Sequence, residues 1–186
     1  MKISFSTLAF PELEFEKIVE RAKEYGYDGI EIRGILNELD LSKVKELNQD
    51  AEKTKELLSK YGMEISCIST SCVFTSPIKE KREESINLAI SHIKIAKEFN
   101  SNLIRIFIGR VPEDINYQEC IAYVVDSVKK VVEYGERYGV RVGIETHDDF
   151  SKGEKLITIF EKIHSQMLGC VWDVYNSLEA GEEVDK

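Results

Sequence analysis

Residues 141–150 read RVGIETHDDF. Val142 and Ile144 alternate with Gly143, Glu145 and His147, so an extended chain puts aliphatic groups on one face and ionisable groups on the other. The same division recurs in GIEIR (29–33), where Ile30 and Ile32 oppose Glu31 and Arg33. It recurs again in LIRIFIG (103–109), where Ile104, Ile106 and Ile108 oppose Arg105, Phe107 and Gly109. A strand that buries its aliphatic face gains nothing from a carboxylate at its end, because an unpaired buried charge is costly or shifts its pKa. Glu145 therefore needs a metal ion, a basic partner or water.

Working outward, the chain five times writes a charged amphipathic stretch, a stop signal and a β-rich apolar run: KEYGYDGIEIR, SKYGMEISCIS, KEFNSNLIRIFIG, ERYGVRVGIETH and SQMLGCVWDV. Gly26, Gly62, Gly139 and Gly169, with Asn100 in the remaining case, stand where a left-handed helix C-cap is expected. With KISFST at the start this predicts six strands, marked by Ile3, Ile30, Ile65, Ile104, Val142 and Val171. Between them lie helices; Ile86, Ile90, Ile93 and Ala96 form the core stripe of one. His92, off that stripe, and His164 read as surface residues.

Alternating strands and helices imply a mostly parallel sheet, either open and doubly wound or closed as a barrel. An open sheet covered on both faces is more often apolar throughout, whereas a barrel has room for polar groups inward near its mouth. The expected fold is therefore an α/β (β/α)8 TIM barrel truncated to about six βα units, since a whole barrel takes roughly 250 residues. An open six-stranded sheet is the alternative. The last stretch, NSLEAGEEVDK, follows the sixth strand with no completed helix.

The 186 residues suffice for one domain, 1–186, and nothing in them resembles a linker. A net charge of −9 repels a phosphate backbone and disfavours nucleic-acid binding. No apolar run reaches the roughly 20 residues of a membrane helix, and the N-terminus lacks a secretory pattern, so a cytoplasmic protein without a membrane partner is expected. Cys67, Cys72, Cys120 and Cys170 show no zinc or redox spacing and read as buried free thiols.

Barrel active sites lie at the C-terminal ends of the strands. Those ends here carry Arg33, the Ser71/Cys72 region, Gly109-Arg110, Glu145 with His147, and Asp173 with Asn176. Two carboxylates at a water-poor mouth repel, and one divalent cation removes the repulsion. Oxygen donors suit Mn²⁺ or Mg²⁺, and an added imidazole shifts the choice toward Mn²⁺, Co²⁺ or Zn²⁺. Arg33 and Arg105, facing inward, are positioned to pair with a carboxylate or with an anion on a substrate.

GIEIR, IRIFIG, VGIETH and VWDVYNS, in this order and spacing, resemble the sugar phosphate isomerase/epimerase group of the xylose isomerase-like TIM barrels over essentially the whole chain. In that family a Glu ending the fifth strand, an Asp ending the sixth, a His ending the seventh and a Glu ending the eighth hold one divalent metal. The resemblance implies Glu145 and Asp173 as metal ligands; the sequence ends before counterparts of the other two. It implies an isomerase or epimerase acting on a sugar, sugar phosphate or related polyol by proton transfer through an enediolate, with Glu145 as a catalytic base. Substrate-binding roles fall to His147 and to Asn176, which stands where several members have a His.

Apurinic endonucleases of the same superfamily need histidines at earlier strand ends, and this chain has none at strands two to four. Metal-dependent dehydration of a polyol is a closer rival, since it too begins with proton abstraction. A third reading is a non-catalytic, self-associating fragment. Two unpaired sheet edges favour a homo-oligomer, and a fragment lacking the last two ligands is expected to be inactive.

Overall fold

The computed structural model describes residues 1–183. Six strands, β1 (Ser4–Ser6), β2 (Gly29–Ile32), β3 (Glu64–Ser69), β4 (Leu103–Ile106), β5 (Arg141–Glu145) and β6 (Leu168–Val171), form one sheet. Helices α1 (Phe15–Glu24), α2 (Ala51–Tyr61), α3 (Lys79–Glu98), α4 (Tyr117–Tyr138) and α5 (Gly153–Ile163) connect them, and α6 (Val174–Glu179) follows β6. Every pairing is parallel and the strand order is β1-β2-β3-β4-β5-β6.

That order decides between the two architectures. A doubly wound sheet reverses direction partway, and its helices then cover both faces. Here each crossover steps to the next strand in the same direction, and with the right-handed connection that parallel strands take, this keeps the helices on one face and curves the sheet as a barrel wall. Ile30, Ile32, Ile104, Ile106, Val142 and Ile144 are buried on the helix side, against residues such as Ile18, Ile93, Val128 and Ile159. The other face is the lumen. β1 and β6 each pair on one side only among the described residues.

The stop signals hold at four of five places. Gly26, Gly62, Gly139 and Asn100 have positive φ, and Gly62 and Gly139 cap α2 and α4. Gly169 does not: it lies inside β6, and His164, with φ of 49°, makes the left-handed cap of α5. Ile3 falls just outside β1 and is exposed. A short helix, α6, also forms where the sequence predicted none, because the Asp173 side chain accepts a hydrogen bond from Asn176 N and caps it.

Two burial expectations are corrected. Cys170 is exposed while the other three thiols are buried, because β6 has no neighbour to extend the layer over it. Burial pushes the Cys67 thiol up to about 12 and the Cys72 thiol up to about 11, so both are poor nucleophiles. His92 is buried completely. α3 packs on β3, β4 and α4 and also on the 3-10 turn Leu41–Lys43, so its apolar face is wider than one sheet-facing stripe.

His92 Nδ1 lies 2.9 Å from Leu88 O, and a carbonyl only accepts, so Nδ1 carries the hydrogen. Nε2 is then a buried lone pair without a partner among the described residues. Burial drives the imidazole pKa below its ordinary value. The unfolded chain therefore takes up a proton near pH 6.5 that the folded chain refuses, and stability falls as pH drops below that point. Wild type is expected to lose about 1 kcal/mol per pH unit below 6.5 relative to His92→Gln, measured by urea denaturation at pH 7.5 and 5.5. Equal pH dependence of the two proteins would overturn this account.

Candidate functional site

The lumen-facing ends of β2 to β5 converge on Arg105, which is 5% exposed. Its Nε lies 2.8 Å from Glu145 Oε2, and its Nη2 lies 3.8 Å from Glu31 Oε1. The Nε–H is not aligned on the Glu145 oxygen, so charge and proximity hold that contact rather than a linear hydrogen bond. Nη1 donates to Thr70 O at 2.7 Å. The guanidinium stacks over the Phe107 ring, 4.0 Å from its centroid. Of the three means of compensating Glu145, the protein itself supplies the basic partner.

Burial raises the Glu145 pKa, and nearby Asp173 and Glu31 add to the rise; Arg105 and His147 offset only part of it. Glu31 is held in turn by a short hydrogen bond from Ser69 Oγ. A register shift makes that contact possible. Ile30 pairs with Ile65, but Glu31 pairs with Cys67, so Ser66 is an extra residue in β3. The bulge turns Cys67 and Ser69 onto the lumen side, beside Glu31 and Arg105.

The ends of β5 and β6 are tied together. Asp173 N donates to Thr146 Oγ1 at 2.8 Å, and Asn176 Nδ2 donates to Thr146 O at 3.0 Å. Asp173 spends Oδ1 on capping α6, with Asn176 N at 2.9 Å. Asn176 thus has its amide nitrogen engaged in joining the two strand ends.

Beyond Glu145 the chain turns sharply. Asp148 has φ of 51°, in the left-handed region. Its carboxylate lies 3.0 Å from His147 Nδ1 and accepts from Arg110 Nε at 3.1 Å. Burial would raise the Asp148 pKa, but the bond from Arg110 and the nearby His147 ring outweigh it and hold the group low. Asp149 accepts from Val111 N at 2.7 Å, fastening the loop to the segment after β4. The His147 ring tilts against Phe107, with centroids 4.5 Å apart. Arg33 Nη1 donates to Ser71 Oγ at 2.9 Å, and its guanidinium lies 6.0 Å from the Phe107 centroid.

The structure therefore brings Arg33, Arg105, Glu145 and His147 around Phe107, with Asp173 and Asn176 at the adjoining strand end. Sequence reasoning passed over Glu31, Ser69 and Phe107 as parts of this cluster. The inward parity of Glu31 and Phe107 was a usable signal, whereas the bulge that admits Ser69 leaves none.

Glu145 and Asp173 are the residues that could contribute to the shell of a divalent ion. Glu145 gives Oε2 to Arg105 and Asp173 gives Oδ1 to α6, leaving one oxygen of each carboxylate without a partner among the described residues. Both carboxylates are hard donors at the ends of adjacent strands, the kind that Mg²⁺ and Mn²⁺ take. No group of three or more His, Cys, Asp and Glu side chains placed to hold a metal occurs among the described residues. No helix among them is long and apolar enough to cross a membrane.

A family model described as "Xylose isomerase-like TIM barrel" matches residues 19–186. An uncharacterized protein of Methanocaldococcus jannaschii, MJ1311, is 23% identical over 205 residues, covering 100% of this chain and 64% of its own length. The chain thus spans less than two thirds of that relative's length. Among solved structures, the probable 3-DHS dehydratase AsbF, involved in petrobactin synthesis in Bacillus anthracis, superposes with a TM-score of 0.81 at 24% identity, covering 98% of this chain and 66% of AsbF. The 3-keto-D-glucoside 4-epimerase YcjR of E. coli gives 0.83 at 16% identity, covering 99% and 72%. The IolI protein with a bound zinc atom gives 0.82 at 18% identity, covering 100% and 67%. At these identities the likenesses establish the fold.

Proposed function

Because the chain belongs to the xylose isomerase-like TIM-barrel family, we propose that its gene product is a metal-dependent isomerase or epimerase acting on a sugar, sugar phosphate or related polyol. The observation that carries this reading is Glu145. It is half-buried, its pKa is raised by that burial, Arg105 braces one of its oxygens at 2.8 Å, and the other is uncommitted. A raised pKa makes a carboxylate a better base near neutral pH, and a braced one loses little entropy in reaching a carbon-bound proton. Glu145 removes the proton from a substrate carbon beside a carbonyl. His147, whose Nδ1 lies 3.0 Å from Asp148 without an aligned hydrogen bond, turns Nε2 to a substrate hydroxyl, and the Phe107 ring gives the carbon skeleton an apolar face. Asn176 steadies the end of β6 against β5.

Asp173 and Glu145, the latter through the oxygen that faces Arg105 so that the other stays free for the proton, would hold one divalent ion (Mn²⁺, Mg²⁺, Co²⁺ or Zn²⁺), which when bound would stabilise the negative charge that proton removal leaves on the substrate. The likeness to IolI with its zinc supports a metal here. The likeness to the epimerase YcjR supports the sugar reading, and that to the probable dehydratase AsbF supports a second one, elimination of water from a cyclic polyol after the same proton abstraction.

The test is deuterium uptake from D₂O by the full-length gene product, followed by NMR over a panel of ketoses, ketose phosphates and cyclic polyols with Mn²⁺ present. Exchange at the carbon beside the carbonyl is expected for at least one member. Loss of water to an unsaturated product would assign the dehydratase, and a protein that exchanges no proton on any member would overturn both.

A further inference from the structure

The two inward arginines are not equivalent. Arg105 is neutralised by Glu145 and Glu31, and Arg110 at the rim pairs with Asp148. Arg33 has no carboxylate oxygen within ion-pair distance among the described residues; its side chain makes one hydrogen bond, to the neutral Ser71 hydroxyl. It is only partly exposed, and it stands at the end of β2 beside Phe107, in the same mouth as Glu145. The nearest carboxylates, Glu31 and Glu145, are both engaged by Arg105.

A partly buried guanidinium lacking a counterion, with donors to spare, is an incomplete pair. We propose that Arg33 is the subsite for an anionic oxyacid group, phosphate or carboxylate, carried by the sugar or polyol handled at this mouth. The planar fork of a guanidinium matches both groups with two parallel hydrogen bonds. Ser71 holds one arm and Phe107 flanks the group, so little side-chain freedom remains to be lost on binding. Burial and the neighbouring Arg105 disfavour the charged form of Arg33, a strain that a bound anion relieves. The inference rests on the sugar reading above and narrows it to charged substrates.

The test titrates D-fructose, D-fructose 6-phosphate, D-gluconate and inorganic phosphate into wild type, Arg33→Gln and Arg33→Lys by calorimetry. Fluorescence of Trp172, the single tryptophan and the neighbour of Asp173, gives a second readout. At low salt, wild type is expected to bind one charged sugar at least about tenfold more tightly than fructose. Arg33→Gln should remove that advantage and leave fructose binding unchanged, while Arg33→Lys keeps part of it. The phosphate and gluconate arms identify which oxyacid is taken. Should Arg33→Gln fail to fold, Ser71→Ala, which frees the guanidinium, is expected to weaken the charged sugar several-fold and fructose not at all.

Charged sugar bound equally by wild type and Arg33→Gln overturns the proposal, as does fructose binding as tightly as its phosphate in wild type; both leave the sugar reading standing. Inorganic phosphate binding that Arg33→Gln abolishes, with no sugar bound, supports the anion subsite and overturns the sugar reading. Absence of binding by all four probes overturns both.

Discussion

Arg105→Met is expected to destabilise the protein by about 3–5 kcal/mol at pH 7, the usual cost of removing one partner from a buried ion pair. The arginine compensates two carboxylates, and their side chains are only 16% (Glu145) and 31% (Glu31) exposed. It also donates to Thr70 O, which loses that bond. Methionine preserves the stem and its contact with Phe107, so the loss reports charge rather than volume.

The pH dependence identifies the mechanism. Burial already raises the Glu145 pKa with Arg105 present, and without the arginine the rise is larger. A carboxylic acid whose folded pKa lies above its unfolded value opposes folding most above the folded pKa, and the opposition fades as pH falls toward the unfolded value. The deficit of Arg105→Met should therefore shrink between pH 7 and pH 5 in urea denaturation. An equal deficit at both values would mean that lost packing, not an uncompensated carboxylate, is responsible.

Glu145→Gln is expected to reduce solvent exchange of the substrate proton by about 10²–10⁴-fold, the contribution of a positioned general base. Stability should fall by less than in Arg105→Met, because the amide removes a carboxylate whose ionisation burial opposes, while Arg105 keeps Glu31 at 3.8 Å. Asp173→Asn keeps an oxygen to cap α6, so it tests the metal separately. Both variants should bind Mn²⁺ more weakly in calorimetry. Exchange by Glu145→Gln within a few-fold of wild type would remove Glu145 from the base role, and unchanged Mn²⁺ affinity in both variants would remove the metal.

Much of this was legible in the sequence because it follows from local rules. Alternation in GIEIR, LIRIFIG and RVGIETH put Glu31, Arg105 and Glu145 on one face, since successive side chains of a strand must point to opposite sides. Gly26, Gly62, Gly139 and Asn100 marked helix ends because those residues take positive φ at little cost. The burial of His92 was not legible: periodicity reports one packing surface of a helix, and α3 has another beneath the Leu41–Lys43 turn. Nor was the cap at His164, since Gly169 offered the expected residue a few positions too late.

By itself, then, the sequence determined six strands, the helices between them and the polar character of the inner face, because each depends on a few consecutive residues. Tertiary structure alone decided which charges meet. Strict alternation through β3 would place Ile65, Cys67 and Ser69 on one face; the extra residue at Ser66 instead sends Cys67 and Ser69 into the lumen, and Ser69 then holds Glu31. Parallel pairing across β3, β4 and β5 likewise sets Arg105 beside Glu145 and leaves Arg33 with a serine. The physical reason is that ion pairing depends on distance across strands far apart in sequence, and a one-residue shift in register exchanges the two faces.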